Sequence, residues 1–494
     1  MKSGARRILM SVLCILTVFS IASCASPVSN VSSAAPVTVV IWHYYNGVQK
    51  QLFDQLVAQF NTTIGESSGI VVEAVNQGSI NELAQKTLDS LSHKVGALDS
   101  PDVFAAYADT VYQASLMDRV VDISTYLLAE EKTTYVDNYL EEGDLDDNGS
   151  LYIFPIAKAT EVLILNETDW KPFTRATGAK ESELATWEGI VRLSEMYYRW
   201  TDGLTDAPYD GKAFFGRDAM ANYILVGCAQ IGSDLFHVSN GTASLQINQA
   251  TMRRLWDCYY VPYISGYFAS FGRFRSDDVK TGDLIAIVGS TSSAAYYPSE
   301  VTLQDGSTYP ISAKVYPVPN FEGTSPYAVQ QGAGMAIVKS NPQKEQAAVT
   351  FLKWFTDQQQ NNAFSSSSGY LPVKKQKDDY DIFVDVDESI KSPIVRDVLT
   401  TGQRMTKTYT LFSGKPFKNG NAVRSILEAS LQNKASDDRL IVLKKMSEGK
   451  TQQEAVALLN TKAHFIGWYT ALLRQLELAL GIRENVELPR FMLE

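Results

Sequence analysis

The chain has 494 residues, with 44 basic and 55 acidic side chains and a formal net charge of −11. This length predicts more than one compact domain, or one elaborate unit of two lobes. A net negative chain with few basic clusters argues against nucleic acid as the main partner. Four His and four Cys exclude zinc arrays and a disulfide-rich scaffold.

The N-terminus has the pattern of an export signal. A short basic stretch precedes the apolar run Ile8–Ile21, which is too short to span a bilayer comfortably. The run ends in Ala22-Ser23-Cys24, and small residues before a Cys look like a bacterial lipobox. We therefore expect residues 1–23 to be a lipoprotein signal peptide and Cys24 to carry the lipid. A plain secretory signal with a chance Cys is the alternative.

A Ser- and Pro-containing segment without charge, residues 24–36, follows the signal and predicts a flexible tether. Beyond it no apolar run approaches about 18 residues, so we expect a soluble body. With Cys14 removed and Cys24 lipidated, only Cys228 and Cys258 remain to pair. A disulfide and two buried thiols on helices are both open, because the sequence does not give their separation in space.

The first part of the body alternates between strand and helix patterns. The predicted elements are strands at Val37–Trp42, Ile70–Val75 and Pro101–Ala105, with helices at about 48–60 and at Asn81–Leu91. This order predicts a parallel sheet covered by helices.

The next segment, Asp144–Gly149, resembles the start of a calcium loop. Its twelfth position would be Pro155, which offers no bidentate carboxylate, so we reject calcium binding. The segment instead predicts a tight turn before a strand at Leu151–Phe154.

Later segments continue the mixed pattern. Thr186 is the predicted N-cap of a helix, and Asp283–Val288 is a predicted buried strand. Met335–Val338 predicts a strand, followed by a helix with Pro342 in its first turn. From about Pro393 the chain is predicted to be mainly helical.

The sequence offers little for enzyme chemistry. His, the partner that a serine hydrolase needs, is scarce, no P-loop occurs, and Gly332-Ala333-Gly334 lacks the third glycine of a dinucleotide site. The four His show no metal-binding spacing. A glycosidase pair stays open, because its two carboxylates need not be close in sequence. We predict a protein that is not an enzyme and that holds no cofactor or metal.

Aromatic and hydroxyl residues follow several of the predicted strands. They are Trp42–Gly47, Tyr107–Asp109, Ser290–Ser293 and, further on, Tyr370. In open α/β sheets, ligands bind beyond the carboxyl ends of strands. Aromatic faces with hydroxyls and amides suit polyhydroxylated ligands. For any single aromatic residue, the alternative is that it only caps a core.

Several longer segments are specific as an ordered set. They read VIWHYYNG, VNQGSINELAQKTL, PDVFAAYADT, LYIFPIAKATEVLILNET, TWEGIVRLSEMY, QGAGMAIVKSNPQKEQAAVTFLKWF and SGYLPVKK, between Val37 and about Val373. In this order the chain resembles bacterial extracellular solute-binding proteins of family 1, which include maltose-binding and glycerol-3-phosphate-binding proteins. These proteins deliver solutes to ATP-binding-cassette (ABC) importers. The resemblance is lost after about Lys462.

The resemblance implies an α/β fold of the class II periplasmic-binding-protein-like type. Two lobes would be linked by a hinge, with the ligand in a central cleft that closes around it. Lobe 1 would hold residues 37–157 plus 315–370, and lobe 2 would hold residues 158–314 plus 371–494.

The resemblance also implies a set of ligand-binding residues. Those that match the family's positions are Tyr44, Tyr45, Ser79, Asp109, Thr160, Glu161, Ser290, Gly332 and Tyr370. Arg217 and Asp218 fall where many members place a contact. They would either bind hydroxyls as a charged pair or form a structural salt bridge. Trp187 is expected in the core.

One position near the tail bears on the chemical class of the solute. Similar glycerol-phosphate binders carry an Arg in a Gly/Asn segment near the tail, and here Pro416 stands at that place, between Lys415 and Lys418. A bidentate phosphate clamp prefers Arg, so a neutral sugar or oligosaccharide is favoured over glycerol phosphate. Arg217 could substitute for the missing arginine.

The resemblance therefore implies a lipid-anchored, extracytoplasmic solute-binding component of an ABC importer. It would be a monomer without cofactor, in the periplasm or on the outer face of the cytoplasmic membrane, and its partners would be permease subunits. Three alternatives stay open. They are a glycerol-3-phosphate or glycerophosphodiester binder of the same family, a lipid-anchored carbohydrate-active enzyme, and a sensory or chaperone-like component.

Overall fold

A computed structural model describes residues 35–146, 148–239, 241–376 and 393–482. The predicted signal peptide, the lipidation of Cys24 and most of the tether lie outside these residues. Among the described residues, no helix is long and apolar enough to cross a membrane.

The strands are short and lie throughout the described chain. They are β1 Val37–His43, β2 Ile70–Asn76, β3 Val103–Ala106, β4 Glu161–Asn166, β5 Phe215–Arg217, β6 Phe236–Ser239, β7 Thr242–Leu245, β8 Ala286–Ser290, β9 Glu300–Thr302, β10 Thr308–Pro310, β11 Ala313–Pro317, β12 Tyr327–Val329, β13 Gly334–Ile337 and β14 Thr410–Phe412.

The helices separate and cover these strands. They are α1 Gly47–Asn61, α2 Ile64–Ser68, α3 Ile80–Leu91, α4 Ala108–Leu116, α5 Ala129–Thr133, α6 Asp137–Glu141, α7 Glu167–Thr177, α8 Trp187–Asp202, α9 Met220–Gln230, α10 Gln249–Ile264, α11 Arg275–Lys280, α12 Pro342–Phe355, α13 Gln358–Ser368, α14 Pro393–Thr408, α15 Gly420–Ser447, α16 Gln452–Ala457 and α17 Lys462–Leu480. Short 3-10 helices lie at Ile123–Tyr126, Glu181–Ala185 and Thr291–Tyr296.

The first sheet has the strand order β13-β3-β1-β2. β1 runs parallel to both β2 and β3, and β13 adds to β3 in the antiparallel direction. The β-rich segments at its centre are buried, which suits strands covered by helices on both faces. The parallel β-α-β-α-β start predicted from the sequence is confirmed.

The second sheet has the order β11-β4-β8-β5. β4 is antiparallel to both β11 and β8, and every residue of β4 is buried. β5 joins the edge of the sheet parallel to β8.

Several local predictions are confirmed, and others need correction. Thr186 caps α8, because its hydroxyl accepts the N–H of Gly189, and Pro342 opens α12 as predicted. The predicted strand at Asp283–Val288 begins only at Ala286. The N–H groups of Asp283 and the next residue instead bond to the carbonyl of Asp278.

The predicted strand at Leu151–Phe154 is wrong. Successive N–H groups of this segment find unrelated partners: Leu151 donates to the side chain of Asp122, and Phe154 donates to Met335. Without a common neighbour, the segment forms one isolated bridge and no ladder. The tail is mainly helical as predicted, with the three-residue strand β14 as an addition.

The buried hydrophobic residues form two clusters. The first draws on residues 39–159 and 333–373, and the second on residues 162–328 and 395–476, with Leu371. Residues 315–329, expected in lobe 1, contribute Val318, Phe321 and Ala328 to the second cluster. They do so because β11 pairs with β4.

Chain segments cross between the two clusters side by side. Lys158 and Leu371 exchange backbone hydrogen bonds of 3.1 and 2.6 Å, and Ala159 and Gln331 exchange bonds of 2.7 and 3.0 Å. Gly332 has φ +100°, and a Cβ there would lie 2.8 Å from the carbonyl oxygen of Ala157. The crossing backbones therefore approach closely, and glycine is required at this point.

The two cysteines of the body are free and buried, Cys228 on α9 and Cys258 on α10. Burial raises the pKa of each thiol to about 12. Of the two alternatives left open by the sequence, the structure shows buried thiols on helices.

Candidate functional site

A cavity of about 370 Å³ lies where the two clusters face each other. Asp109, in the first turn of α4, lines it from the side of the first cluster, to which α4 contributes Val111 and Ala114. The remaining walls come from β6, from the loop after β14 and from the start of α15. They include Phe236, Lys415, Phe417 and Arg424.

Asp109 is the predicted ligand residue that lines this cavity. Its side chain is buried, and burial raises the pKa of the carboxyl, an effect opposed by Arg424 and by the backbone of Phe417. The start of α15 packs directly against the carboxylate, since a Cβ on Gly420 would overlap it. A helix N-terminus favours negative charge, so the position suits an ionised carboxylate that accepts hydrogen bonds.

Arg424 connects the cavity to the crossing segments through Asn222. Its Nη1 donates to Asn222 Oδ1 at 3.3 Å. Asn222 Nδ2 in turn donates to Glu161 and to Gln331 Oε1, both at 3.0 Å. Because Gln331 is hydrogen-bonded to Ala159 in a crossing segment, Arg424 is coupled to the place where the clusters join.

Glu161 and Arg217 form a buried ion pair away from open space. Arg217 Nη2 donates to both carboxylate oxygens, at 3.1 and 3.0 Å, and the guanidinium lies over the rings of Trp187 and Tyr223. Only about 10 Å³ of free volume lies beside them. Arg217 therefore makes a structural salt bridge, and its partner is Glu161 rather than Asp218.

Asp218 has a different partner, because its carboxylate lies 3.4 Å from Nε of Arg275. Burial raises the pKa of Asp218 to about 6, and Arg275 opposes that shift. The side chains of Arg217 and Asp218 therefore form ion pairs with Glu161 and Arg275, respectively, and not with each other.

The predicted tyrosines lie together in the first cluster. The hydroxyls of Tyr44 and Tyr370 are 3.1 Å apart, and burial raises the pKa of both phenols. Tyr45 is fully packed among rings that include Phe53 and Phe364. Tyr45 is therefore a core residue, whereas Tyr44 keeps partial exposure.

The remaining predicted ligand residues lie at helix starts and in or beside the crossing segments. Ser79 is exposed and caps α3 in a capping box with Glu82, and Ser290 caps the 3-10 helix that begins at Thr291. Thr160 is buried, and within the described structure its hydroxyl has no hydrogen-bond partner. Gly332 lies in a crossing segment, as described above. Trp187 is in the core, as expected.

Sequence reasoning missed Arg424 and Asn222. Arg424 follows Asn419-Gly420-Asn421, a Gly/Asn segment near the tail of the kind expected to carry a phosphate-binding arginine. Pro416, placed there by sequence, lies instead beside a neighbouring space. Asn222 gave no signal, since a single Asn in an apolar helix matches no motif. In the described part of the chain, no group of three or more His, Cys, Asp or Glu could hold a metal ion.

A known protein family matches most of the chain. Residues 55–390 match the family described as bacterial extracellular solute-binding protein. No curated protein matches the chain.

Solved structures share the fold. UgpB from Mycobacterium tuberculosis, in complex with glycerophosphocholine, is 17% identical with a TM-score of 0.62, over 91% of this chain and 99% of that one. The cyclic alpha-maltosyl-1,6-maltose binding protein from Arthrobacter globiformis is 16% identical, with a TM-score of 0.61 over 90% and 99%. The Thermus thermophilus maltotriose binding protein bound with maltotriose is 14% identical, with a TM-score of 0.59 over 90% and 100%. The chain thus has the two-lobe, maltose-binding-like fold of substrate-binding proteins.

Proposed function

Because the chain belongs to the bacterial extracellular solute-binding protein family, we propose that it captures a sugar or oligosaccharide in the 370 Å³ cavity and delivers it to an ABC importer. The family and the structural neighbours are binding proteins, not enzymes. The solute would be released unchanged to permease subunits.

The observation that carries this proposal is the composition of the cavity wall. Asp109 stands on α4, whose Val111 and Ala114 belong to the first cluster, while Phe417 belongs to the second cluster and Arg424 follows its member Val423. A solute that contacts Asp109, Phe417 and Arg424 would hold the two clusters together, which is the basis of hinge closure. The volume of the cavity, about 370 Å³, lies within the usual range of about 300–1,000 Å³ for small-molecule sites.

The chemistry of the wall suits hydroxyl groups. The carboxylate of Asp109 accepts hydrogen bonds, and the guanidinium of Arg424 donates them. The rings of Phe236 and Phe417, with centroids 5.4 Å apart, offer an apolar surface beside these charges. Sugar-binding neighbours of the same fold support this choice of solute.

The remaining parts of the proposal concern the whole chain. The lobe bounds stay a prediction, with residues 37–157 plus 315–370 in lobe 1 and residues 158–314 plus 371–494 in lobe 2. The packing of Val318, Phe321 and Ala328 in the second cluster favours lobe 2 for residues 315–329. Cys24 would anchor a monomer outside the cytoplasm through its lipid. Ligand roles stay predictions for the other residues transferred from the family, namely Tyr44, Tyr45, Ser79, Thr160, Glu161, Arg217, Asp218, Ser290, Gly332 and Tyr370.

A glycerophosphodiester or glycerol-3-phosphate is a second candidate, and Arg424 favours it. The planar guanidinium of arginine binds phosphate with two parallel hydrogen bonds. The glycerophosphocholine complex of a structural neighbour adds support.

A thermal-shift screen of the chain without residues 1–24 tests the proposal. The panel holds maltose, maltotriose, other mono- and oligosaccharides, glycerol 3-phosphate and glycerophosphocholine. A true solute at a hundred times its dissociation constant should stabilise the fold by about 2.7 kcal/mol.

The Arg424→Ala variant should lose this shift, because it removes a donor from the cavity. Arg199→Ala is the matched control, since Arg199 is 72% exposed on α8. An undiminished shift in Arg424→Ala would place the solute elsewhere. No shift with any compound would overturn the choice of solute class.

A further inference from the structure

A second space adjoins the proposed solute cavity. It measures about 520 Å³ and is lined by residues that include Tyr112, Leu116, Tyr152, Ser239 and Pro416; we name it the extension groove. Val238 and Lys415 line both spaces. The two spaces are therefore neighbours along one path between the clusters.

One face of α4 forms a wall shared by both spaces. Asp109 lines the cavity, and Tyr112 and Leu116 line the extension groove. Residues three and seven positions apart lie on the same face of a helix. At 1.5 Å per residue, this wall runs for about 10 Å.

The two other walls, β6 and the loop after β14, also line both spaces. β6 contributes Phe236 to the cavity and Ser239 to the extension groove. The loop after β14 contributes Ser413 to the cavity and Pro416 to the groove. Because all three walls are continuous, the groove is an extension of the cavity and not a separate pocket.

The chemistry of the groove matches a neutral, hydroxylated ligand. Its hydroxyls come from Tyr112, Ser115, Tyr152 and Ser239, and its charged groups are one carboxylate, Asp146, and one ammonium, Lys415. Hydroxyls donate and accept, as sugar hydroxyls do, and aromatic rings add apolar area. With one ammonium and one carboxylate in its lining, the groove is poorly suited to a phosphate group.

We propose that the extension groove holds the further units of a linear oligosaccharide whose first unit occupies the cavity. This inference rests on the proposed function and narrows its solute from a sugar of any size to one of several units. The structure gives the ligand a direction, from Asp109 and Arg424 outward along α4.

Isothermal titration with maltose, maltotriose and maltotetraose tests the inference. In the unchanged protein, affinity should rise at least about tenfold from maltose to maltotetraose, because added units gain contacts. In Leu116→Trp the larger ring fills the groove, so the ratio of the two affinities should fall to about one. Leu116 is 63% exposed, so the variant should fold.

Leu98→Trp is the matched control, because Leu98 is 56% exposed in the same lobe and does not line the groove. It should keep the ratio of the unchanged protein. Equal affinities for all three sugars, or a ratio that survives in Leu116→Trp, would overturn the inference while leaving sugar capture intact. Binding of glycerophosphocholine without any of the three sugars would also overturn it, and the second candidate function would then stand.

Discussion

Arg217 stands at a predicted ligand position, but its guanidinium is hydrogen-bonded to other residues of the protein. Its guanidinium donates to both oxygens of Glu161 and to the carbonyls of Asp218 and Ala219. Two rings flank it. A solute could reach Arg217 only by breaking a buried ion pair, so we expect this pair to contribute to the stability of the fold.

Removing one partner should therefore be costly. We expect Glu161→Ala to lower the free energy of unfolding by about 3–5 kcal/mol, because Arg217 would stay buried without a counter-charge. Urea denaturation measures the loss. Glu195→Ala breaks the exposed pair with Arg199 and should cost less than about 1 kcal/mol. Equal losses in the two variants would contradict the structural role.

Asp109 gives the proposed site a pH dependence. Burial raises the pKa of its carboxyl above the ordinary value for aspartate. If the ionised form binds solute hydroxyls, affinity is full above that raised pKa and falls as the pH decreases through it. The decline should therefore begin at a higher pH than the ordinary value of about 3.9 would give.

Titrations of the bound solute between neutral and acidic pH measure this decline. The Asp109→Asn variant should bind more weakly at neutral pH and should lose the decline, because its amide does not titrate. A decline that persists unchanged in Asp109→Asn would assign the pH dependence to another group.

At the residue scale, the sequence predicted Asp109 but not Arg424. Asp109 lies directly after a clear strand, within a motif that the resemblance covers. Arg424 lies in a tail where the resemblance is loose, and Pro416 was matched in its place. The distinction between a binding arginine and a structural one depends on partners far away in the chain, such as Glu161 for Arg217.

At the scale of elements, Ser79 is a position where a helix-capping role and a ligand-binding role can be distinguished by experiment. Its hydroxyl accepts the N–H of Glu82, and its own N–H donates to that side chain, which makes a capping box for α3. We expect Ser79→Ala to lower the free energy of unfolding by about 1 kcal/mol without changing solute affinity. Denaturation and titration of the same variant check both statements. Weaker binding with unchanged stability would make Ser79 a ligand contact.

Elements with a strong local pattern were predictable. β1, β2 and β3 follow β-rich runs, and α8 and α12 follow clear capping residues. By contrast, β14 has three residues and exists because β12 lies beside it. The segment after Gly149 has a strand-like composition but no neighbouring strand to pair with along its length, so its pattern was misleading.

At the scale of the whole molecule, the two-lobe arrangement followed from the resemblance, while the packing of residues 315–329 with the second cluster did not. β11 joins the second sheet through β4, about 150 residues earlier in the chain. Such a pairing leaves no mark in local composition. Residues 157–159, 331–332 and 370–371 form the crossing at which the two clusters meet.

We propose that a solute binds between the two clusters and contacts both. A crystal structure grown with the solute that gives the largest thermal shift would show where it lies. We predict solute density in the 370 Å³ cavity, within hydrogen-bond distance of Asp109 and Arg424. Density that contacts only one cluster, or that lies outside the cavity, would overturn the proposed site.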